Sequence, residues 1–369
     1  MNVPFVDFKP SNEQFRQRAL QIFEQVFDKA WYILGEQVQK FEQEYAQYHK
    51  VKHCIGVANG LDALHIALRI KEITKGDEVI VPSNTYIATV LAVSFVGAKP
   101  VFVEPRITTY NLNPELIEQA ITERTKAIIP VHLYGQACEM DAIMQIAQKY
   151  NLYVVEDNAQ AQGASYNGTK TGAFGHVNAT SFYPSKNLGA LGDAGAITTN
   201  DDVYAYKCRV MRNYGSQKRY YNEMIGINSR LDEVQAALLR IKLEFLDTWN
   251  AERNTIAQKY IEQLNNVGDL ILPTTAEKAT HIYHLFVIRT KYRDKLQAHL
   301  QNDGIQTVIH YPIPPHLQEC YQHLGYKKGD FPIAEEIADT CLSLPLFVGM
   351  TEAQVQKVCQ SIKAFYENV

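Results

Sequence analysis

The stretch LYVVEDNAQAQGA at 152–164 carries the reading of the fold. An apolar run, Leu152 to Val155, passes directly into two acids, Glu156 and Asp157. The run is valine-rich and not alternating, as a strand is when helices cover both faces of its sheet. Six more such runs flank it: CIGVA (54–58), EVIVP (78–82), PVFVE (100–104), AIIPV (127–131), ATSFY (179–183) and GAITT (195–199). Helical patterns at 61–70, 86–96, 114–120 and 141–150 separate the first five strands. Alternation of this kind predicts an α/β chain with a mostly parallel central sheet, its ligand site at the carboxyl ends of the strands.

Beyond this region the pattern changes. A long helical stretch is expected from 231 to about 264, then strands HLFVIR (284–289) and QTVIH (306–310). Helices are expected near 295–302, 333–341 and 351–366. This reads as a large domain over 1–247 and a smaller C-terminal α+β domain over 248–369. A length of 369 residues accommodates that division, and 46% apolar with 21% charged residues excludes a disordered chain.

Thirty-six Lys and Arg against 40 Asp and Glu give a net charge of −4. Nucleic-acid binding needs a basic surplus to neutralise phosphates, so none is expected. The six cysteines form no C-x-x-C pair and no zinc-ligand spacing, which reads as reduced, buried thiols and no metal. The N-terminal MNVPFVDFKPSNEQ has no signal-peptide pattern, and the weakly polar stretch at 86–98 is too short to span a bilayer. A cytoplasmic protein without membrane contact is expected.

Four segments carry chemistry. Asp157 ends a buried strand; it is either a helix N-cap or a counter-charge for a protonated heteroaromatic nitrogen. Lys186 lies in SFYPSKNLG, ahead of Gly189, Gly192 and Gly195. A lysine in so constrained a setting can form a Schiff base with an aldehyde cofactor and then move protons. In ANGLDAL, Gly60 opens a helix whose free amides can bind phosphate. In PSNTY, Tyr86 is either core or a ring stacked on a flat ligand. Neither GVANG nor LGALGDAG has the strand, helix and acid that a dinucleotide fingerprint requires. A phosphate cradle, a stacking ring, an acid and a Schiff-base lysine together match pyridoxal 5′-phosphate (PLP).

With those residues in view, the chain resembles the DegT/StrS-type nucleotide-sugar aminotransferases. The likeness runs through FVDF, ILGEQVQKFEQEYAQY, GVANGLDALHIAL, PSNTYIAT, VHLYGQ, VVEDNAQAQGA, SFYPSKNLGALGDAGAI, NSRLDEVQAA and HLFVIR. The resemblance implies the aspartate-aminotransferase-like fold, PLP fold type I. It implies that Lys186 is the Schiff-base lysine and proton shuttle, that Asp157 pairs with the pyridinium nitrogen and that Gln160 bonds the cofactor's 3′-oxygen. It also implies that Tyr86 stacks on the ring, and that Ser181 with the amides of Gly60 and Leu61 holds the phosphate. Asn228 would reach the phosphate of a neighbouring subunit, so a homodimer with shared active sites is implied.

Within the family, PSNTYIAT, PVFVEP, IIPVHLYGQACEMD and IHYPIPPH resemble the enzymes that aminate C3 of a dTDP-linked 3-keto-6-deoxyhexose, with L-glutamate as donor. Arg106 departs from the acidic residue usual after VEP, in an expected loop where little effect is anticipated. The stretch RNYGSQKRYY (212–221) reads as a loop of cations and aromatics. It is either a solvated basic loop or, by family precedent, a source of pyrophosphate contacts to the partner through Lys218 or Arg219. Tyr183, Tyr221, His310 and Tyr311 are sugar-contact candidates, with a structural role as the alternative for His310. A 4-keto-sugar or cyclitol aminotransferase shares every cofactor motif. Sugar 3-dehydratase relatives carry histidine at the lysine position, so the intact Lys186 counts against a dehydratase or a regulatory role.

Overall fold

A strand that is apolar on both faces needs helices on both, and the sequence supplies them in turn. The computed structural model describes residues 1–368. Helices α1 (Lys9–Lys29) and α2 (Glu36–His49) lead into β1 (His53–Val57), α3 (Gly60–Ile70), β2 (Glu78–Pro82), α4 (Ile87–Phe95) and β3 (Lys99–Val103). Then come β4 (Thr125–Ile128), α5 (Met140–Lys149), β5 (Tyr153–Asp157), the short pair β6 (Ser165–Tyr166) and β7 (Thr169–Lys170), β8 (Val177–Ser181) and β9 (Gly195–Thr199). After α6 (Asp202–Met211), a small hairpin of β10 (Ser216–Lys218) and β11 (Tyr221–Asn222) precedes α7 (Glu233–Leu243) and α8 (Leu246–Leu264). The chain ends with β12 (Phe286–Arg289), α9 (Arg293–Asn302), α10 (Pro332–Thr340), β13 (Cys341–Leu344) and α11 (Glu352–Glu367).

The main sheet has the order β1-β9-β8-β5-β4-β2-β3. It is parallel from β3 to β8, and β9 alone runs antiparallel, between β8 and β1. Side chains alternate across it. Val79, Val81, Ala127 and Val155 pack with α3, α4 and α6, whereas Ile80, Ile128 and Val154 meet Ile143 and Ala147 of α5. Strands β1, β2, β4, β5 and β8 all point the same way, so the segments that follow them converge on one sheet edge. A separate apolar cluster joins Ile256, Tyr260 and Leu264 of α8 to Phe286, Leu296, Leu342, Val358 and Ile362. The boundary expected at 247/248 falls in the first turn of α8, whose Leu246 packs instead with α2 and α7.

Several expectations are corrected. The helix expected at 114–120 is two short 3₁₀ turns, Pro114–Leu116 and Glu118–Ala120. The long helical stretch expected from 231 to about 264 is two helices, α7 and α8, separated where the Phe245 amide bonds Lys242 O at 3.0 Å in an i to i+3 pattern. QTVIH is not a strand. Val308 pairs with Ser343, but the His310 carbonyl then turns to accept the Tyr134 hydroxyl, which ends the pairing. The residues around 341 divide differently from expectation: α10 stops at Thr340 and Cys341 opens β13. Helices α1, α2 and α6 and the β10–β11 hairpin were not anticipated. No helix among the described residues is long and apolar enough to cross a membrane.

Beside the site, one carboxylate ties three segments together. Glu156 in β5 is fully buried and accepts hydrogen bonds from the amides of Gly172, Phe174 and Gly175 at 2.6–2.8 Å. It also meets His132 Nε2 at 2.7 Å, and His132 Nδ1 accepts the Cys138 amide at 3.0 Å. Removing the acid would strand all four donors in the interior. Glu156→Leu is therefore expected to lower unfolding stability by about 3–5 kcal/mol, measured by urea denaturation of the holoenzyme.

Candidate active site

Asp157 is the last residue of β5 and is buried. Thr89 Oγ1 donates to its Oδ2 at 2.8 Å and the Ala159 amide to its Oδ1 at 3.1 Å. Thr89 is itself held by Thr85, with their hydroxyls 2.9 Å apart. Burial raises the Asp157 pKa, and the hydrogen bonds from Thr89 and Ala159 and the charges of Lys186 and His132 oppose it without cancelling it. A carboxylate kept from water in this way favours a cationic partner.

Lys186 lies in the turn that joins β8 to β9. Phe182 fixes the turn at its base: its amide bonds Ala194 O and its carbonyl accepts the Ala190 amide, each at 2.8 Å. Asn187 Nδ2 donates to Asn250 Oδ1 at 2.7 Å, and the buried Lys242 ammonium donates to Gly189 O. The Lys186 amide bonds Tyr183 O at 2.8 Å, while no hydrogen bond among the described residues engages its ammonium. Burial brings that ammonium down to about 8, against the pull of Asp157. About a tenth of the amines are then uncharged at pH 7, against about one in three thousand at the ordinary value.

The third element is a tightly pressed turn. Asn59 caps α3 by accepting the Asp62 amide at 2.8 Å. A Cβ added at Gly60 would lie 2.6 Å from Ser181 Cβ, and one at Gly195 would lie 2.4 Å from the Asn59 carbonyl carbon. Neither position admits a side chain. The amides of Gly60 and Leu61 make no hydrogen bond among the described residues. Two free N–H groups at the start of an 11-residue helix, beside a serine, form an anion seat.

A polar and aromatic wall completes the site. Gln160 Oε1 accepts the Tyr134 amide at 2.7 Å, and its Nε2 donates to the Tyr311 hydroxyl at 3.0 Å. The half-exposed Tyr86 ring stands 5.2 Å from that of Tyr311. His310 Nδ1 bonds Ser343 Oγ at 2.8 Å, and burial pushes its imidazole down to about 4. The set fits PLP: a water-free acid for the ring nitrogen, a lysine for the aldehyde, an anion seat for the phosphate and a ring beside it.

The model of the DegT/DnrJ/EryC1/StrS aminotransferase family matches residues 13–363. The chain belongs to that family. It is an aminotransferase whose cofactor is PLP. It is 51% identical over 363 residues to the dTDP-3-amino-3,6-dideoxy-alpha-D-galactopyranose transaminase of Aneurinibacillus thermoaerophilus, covering 98% of this chain and 99% of that one. It is 46% identical over 367 residues to the dTDP-3-amino-3,4,6-trideoxy-alpha-D-glucose transaminase of Streptomyces venezuelae, covering 100% and 97%. The crystal structure of S. venezuelae DesV in complex with a ketimine intermediate superposes with a TM-score of 0.98 at 46% identity, covering 100% of this chain and 99% of that one.

Within one chain of this aminotransferase, the sheet edge gathers Gly60, Leu61, Tyr86, Asp157, Gln160, Ser181, Lys186 and Tyr311. Tyr183 is exposed and shares a cavity wall with His310. Lys218, Arg219 and Tyr221 are not part of that group; they lie exposed on the β10–β11 hairpin, where a loop was expected. Lys218 Nζ stands over the Tyr221 ring at 4.5 Å. Arg212 is not among those solvent-facing cations: it is buried, paired with Glu42 and bonded to Gly56 O at 2.6 Å. Asn228 is exposed just after the hairpin, its backbone paired with Asn213. Arg106 is in a loop as expected, bound to Glu139 and Glu115. Sequence reading missed Thr89, His132, Glu156, Tyr134 and Lys242. The four-residue spacing of Thr85 and Thr89 could have marked the first of these, but the others gain their roles only through tertiary contact.

Two outcomes follow from this geometry. Gly60→Ala forces Ser181 and the anion seat apart, so PLP affinity is expected to fall at least about tenfold, read by equilibrium dialysis. In cofactor-free protein, the folded state holds the Lys186 proton less tightly than the unfolded chain does. Stability therefore rises with pH between about 8 and 10.5 as this strain is relieved. Lys186→Met is expected to be more stable than the parent by about 2–3 kcal/mol at pH 7. The gain should disappear towards pH 10.5 in denaturation curves taken across that range.

Proposed function

We propose that this aminotransferase converts a dTDP-linked 3-keto-6-deoxyhexose into the 3-amino-3,6-dideoxyhexose, with L-glutamate as amino donor. The observation that carries the reading is end-to-end similarity, at 51% identity, to a transaminase named for that class of sugar, joined to an intact Asp157/Lys186 pair. PLP, when bound, supplies an electron sink and a carrier for the amino group. The residues supply the rest. Asp157 offers its charge to the ring nitrogen, Gln160 a hydrogen bond beside the 3′-oxygen and Tyr86 a stacking face. Ser181 and the amides of Gly60 and Leu61 hold the phosphate. The Lys186 amine takes the proton from the donor's α-carbon and delivers it on the far side of the exchange. In the second half-reaction it moves a proton in the reverse sense, to C3 of the sugar, the former ketone carbon. The donor leaves as its 2-oxo acid, and the ketone oxygen leaves as water.

The working unit in this reading is a homodimer with shared sites. Support comes from the exposed apolar residues Leu20, Phe23, Phe27 and Trp31 at one end of the chain and Tyr220 and Ile225 on the hairpin side. Asn228 would reach the partner's cofactor phosphate, and Lys218 or Arg219 the pyrophosphate of the partner's substrate. Tyr183, Tyr221, His310 and Tyr311 would meet the sugar. The division into domains at 1–247 and 248–369 puts the cofactor residues on the larger one. A cytoplasmic location accords with six free cysteines.

The test uses purified holoenzyme with L-glutamate and dTDP-3-keto- or dTDP-4-keto-6-deoxyhexose, and NMR of the product. Amination at C3 is expected; exclusive amination at C4 would replace the substrate assignment. Lys186→Ala is expected to lower kcat at least about 1,000-fold while the dimer persists in gel filtration. Normal turnover by that variant would sink the mechanism.

A further inference from the structure

The cavity that Tyr183 and His310 share, of about 310 Å³, adjoins the Lys186 turn. Its walls include Tyr183 and Ser185 from that turn, His284, Val308, His310 and Arg253. Arg253 is the unusual member. It lies in α8 and is buried, yet it forms no salt bridge among the described residues. Its Nη1 donates to the carbonyls of Tyr283 and Leu346, both at 3.2 Å. Its Nε is sealed in protein without a partner, and no hydrogen bond engages its Nη2. The adjacent acid, Glu252, is turned away to accept the Gly349 amide at 2.5 Å.

A guanidinium shut away from water is costly unless an anion pairs with it. Burial lowers the Arg253 pKa to about 10, which still leaves it charged at neutral pH. The neighbouring imidazoles do not compensate for that charge. Burial, then the charges of Lys186 and Arg253, holds His284 well below its ordinary value, so it is a neutral ring; burial and the charge of Lys186 do the same to His310. The cavity is thus electropositive, lacks a wall carboxylate and borders the turn that carries the reactive amine. The unengaged Nη2 of Arg253 suits a carboxylate oxygen, which accepts a charge-assisted N–H bond.

We propose that this cavity is the amino donor's carboxylate site and that Arg253 is the residue that binds it. The proposal rests on the transamination reading above and extends it by giving the donor's acid group a place distinct from the phosphate seat at Gly60. One carboxylate of the donor pairs with Arg253 while its amine is held towards Lys186. The nucleotide sugar has no carboxylate and does not use this contact, so the two substrates would make different demands on one residue.

The test separates the half-reactions of the holoenzyme, followed by cofactor absorbance. In Arg253→Gln, the KM for L-glutamate is expected to rise about 10- to 100-fold. The reverse half-reaction, from dTDP-3-amino-3,6-dideoxyhexose, is expected to stay within about threefold of the parent. Val308→Asp, at the partly exposed rim, adds a repelling charge without removing a buried hydrogen bond and should show the same selective loss. Glutarate has both carboxylates and no amine, so it binds without reacting; it should raise the Tm of the parent holoenzyme and raise that of Val308→Asp less. Equal losses in both half-reactions, or no Tm shift with glutarate in the parent, would overturn the proposal. Parent enzyme that accepts L-glutamate yet aminates no dTDP-linked ketose would sink the substrate assignment alone, since the glutamate half-reaction would still read out Arg253.

Discussion

An acid and an amine, both withdrawn from water at one edge of a sheet, set the conditions for the rest of this molecule. Asp157 sits at the end of a strand whose neighbours on either side are also buried, so its charge is not hydrated and its pKa rises. Lys186 is partly buried beside it, and its ammonium weakens. Each shift is unfavourable to the folded chain taken alone. Together they leave an acid that favours a cation and an amine with a useful uncharged fraction. The same burial that makes the parallel sheet stable thus makes its edge reactive.

Around that pair, most of the structure is concerned with position. Glu156, one residue before Asp157, faces away from the site and gathers four donors from two loops. Thr85 and Thr89 hold the carboxylate from the side of α4. Lys242 and Asn250, from two later helices, grip the lysine turn. Each contact bridges residues far apart in the chain, so the orientation of the reactive groups depends on the whole large sheet and its cover.

The sequence was informative where local physics decides structure. The seven apolar runs became strands because a Val/Ile run buried on both faces has few other options, and Gly195–Thr199 was placed to the residue. Asp157, Lys186 and Gly60 were legible because each lies at, or within a few residues of, the carboxyl end of a strand. QTVIH was misread because its composition suits a strand, but the turn of the His310 carbonyl towards Tyr134 is a tertiary event. Arg212 was read as a loop cation because nothing nearby in sequence announces Glu42, 170 residues away. The hairpin was hidden because five short residues carry no periodicity. In the site, the placement of the reactive groups at the strand ends could be foreseen, and contacts that depend on tertiary shape could not.

The pressed contact between Gly60, Ser181 and Gly195 has a consequence for exchange of the cofactor. A seat with no spare volume, whose amides already point outward, undergoes little ordering when a phosphate arrives. Little conformational entropy is lost on binding, and little is regained on release. Loading would then resemble docking to a rigid mould more than folding around a guest. The empty and filled forms should share one backbone, so a molecule that loses its cofactor remains ready to take another.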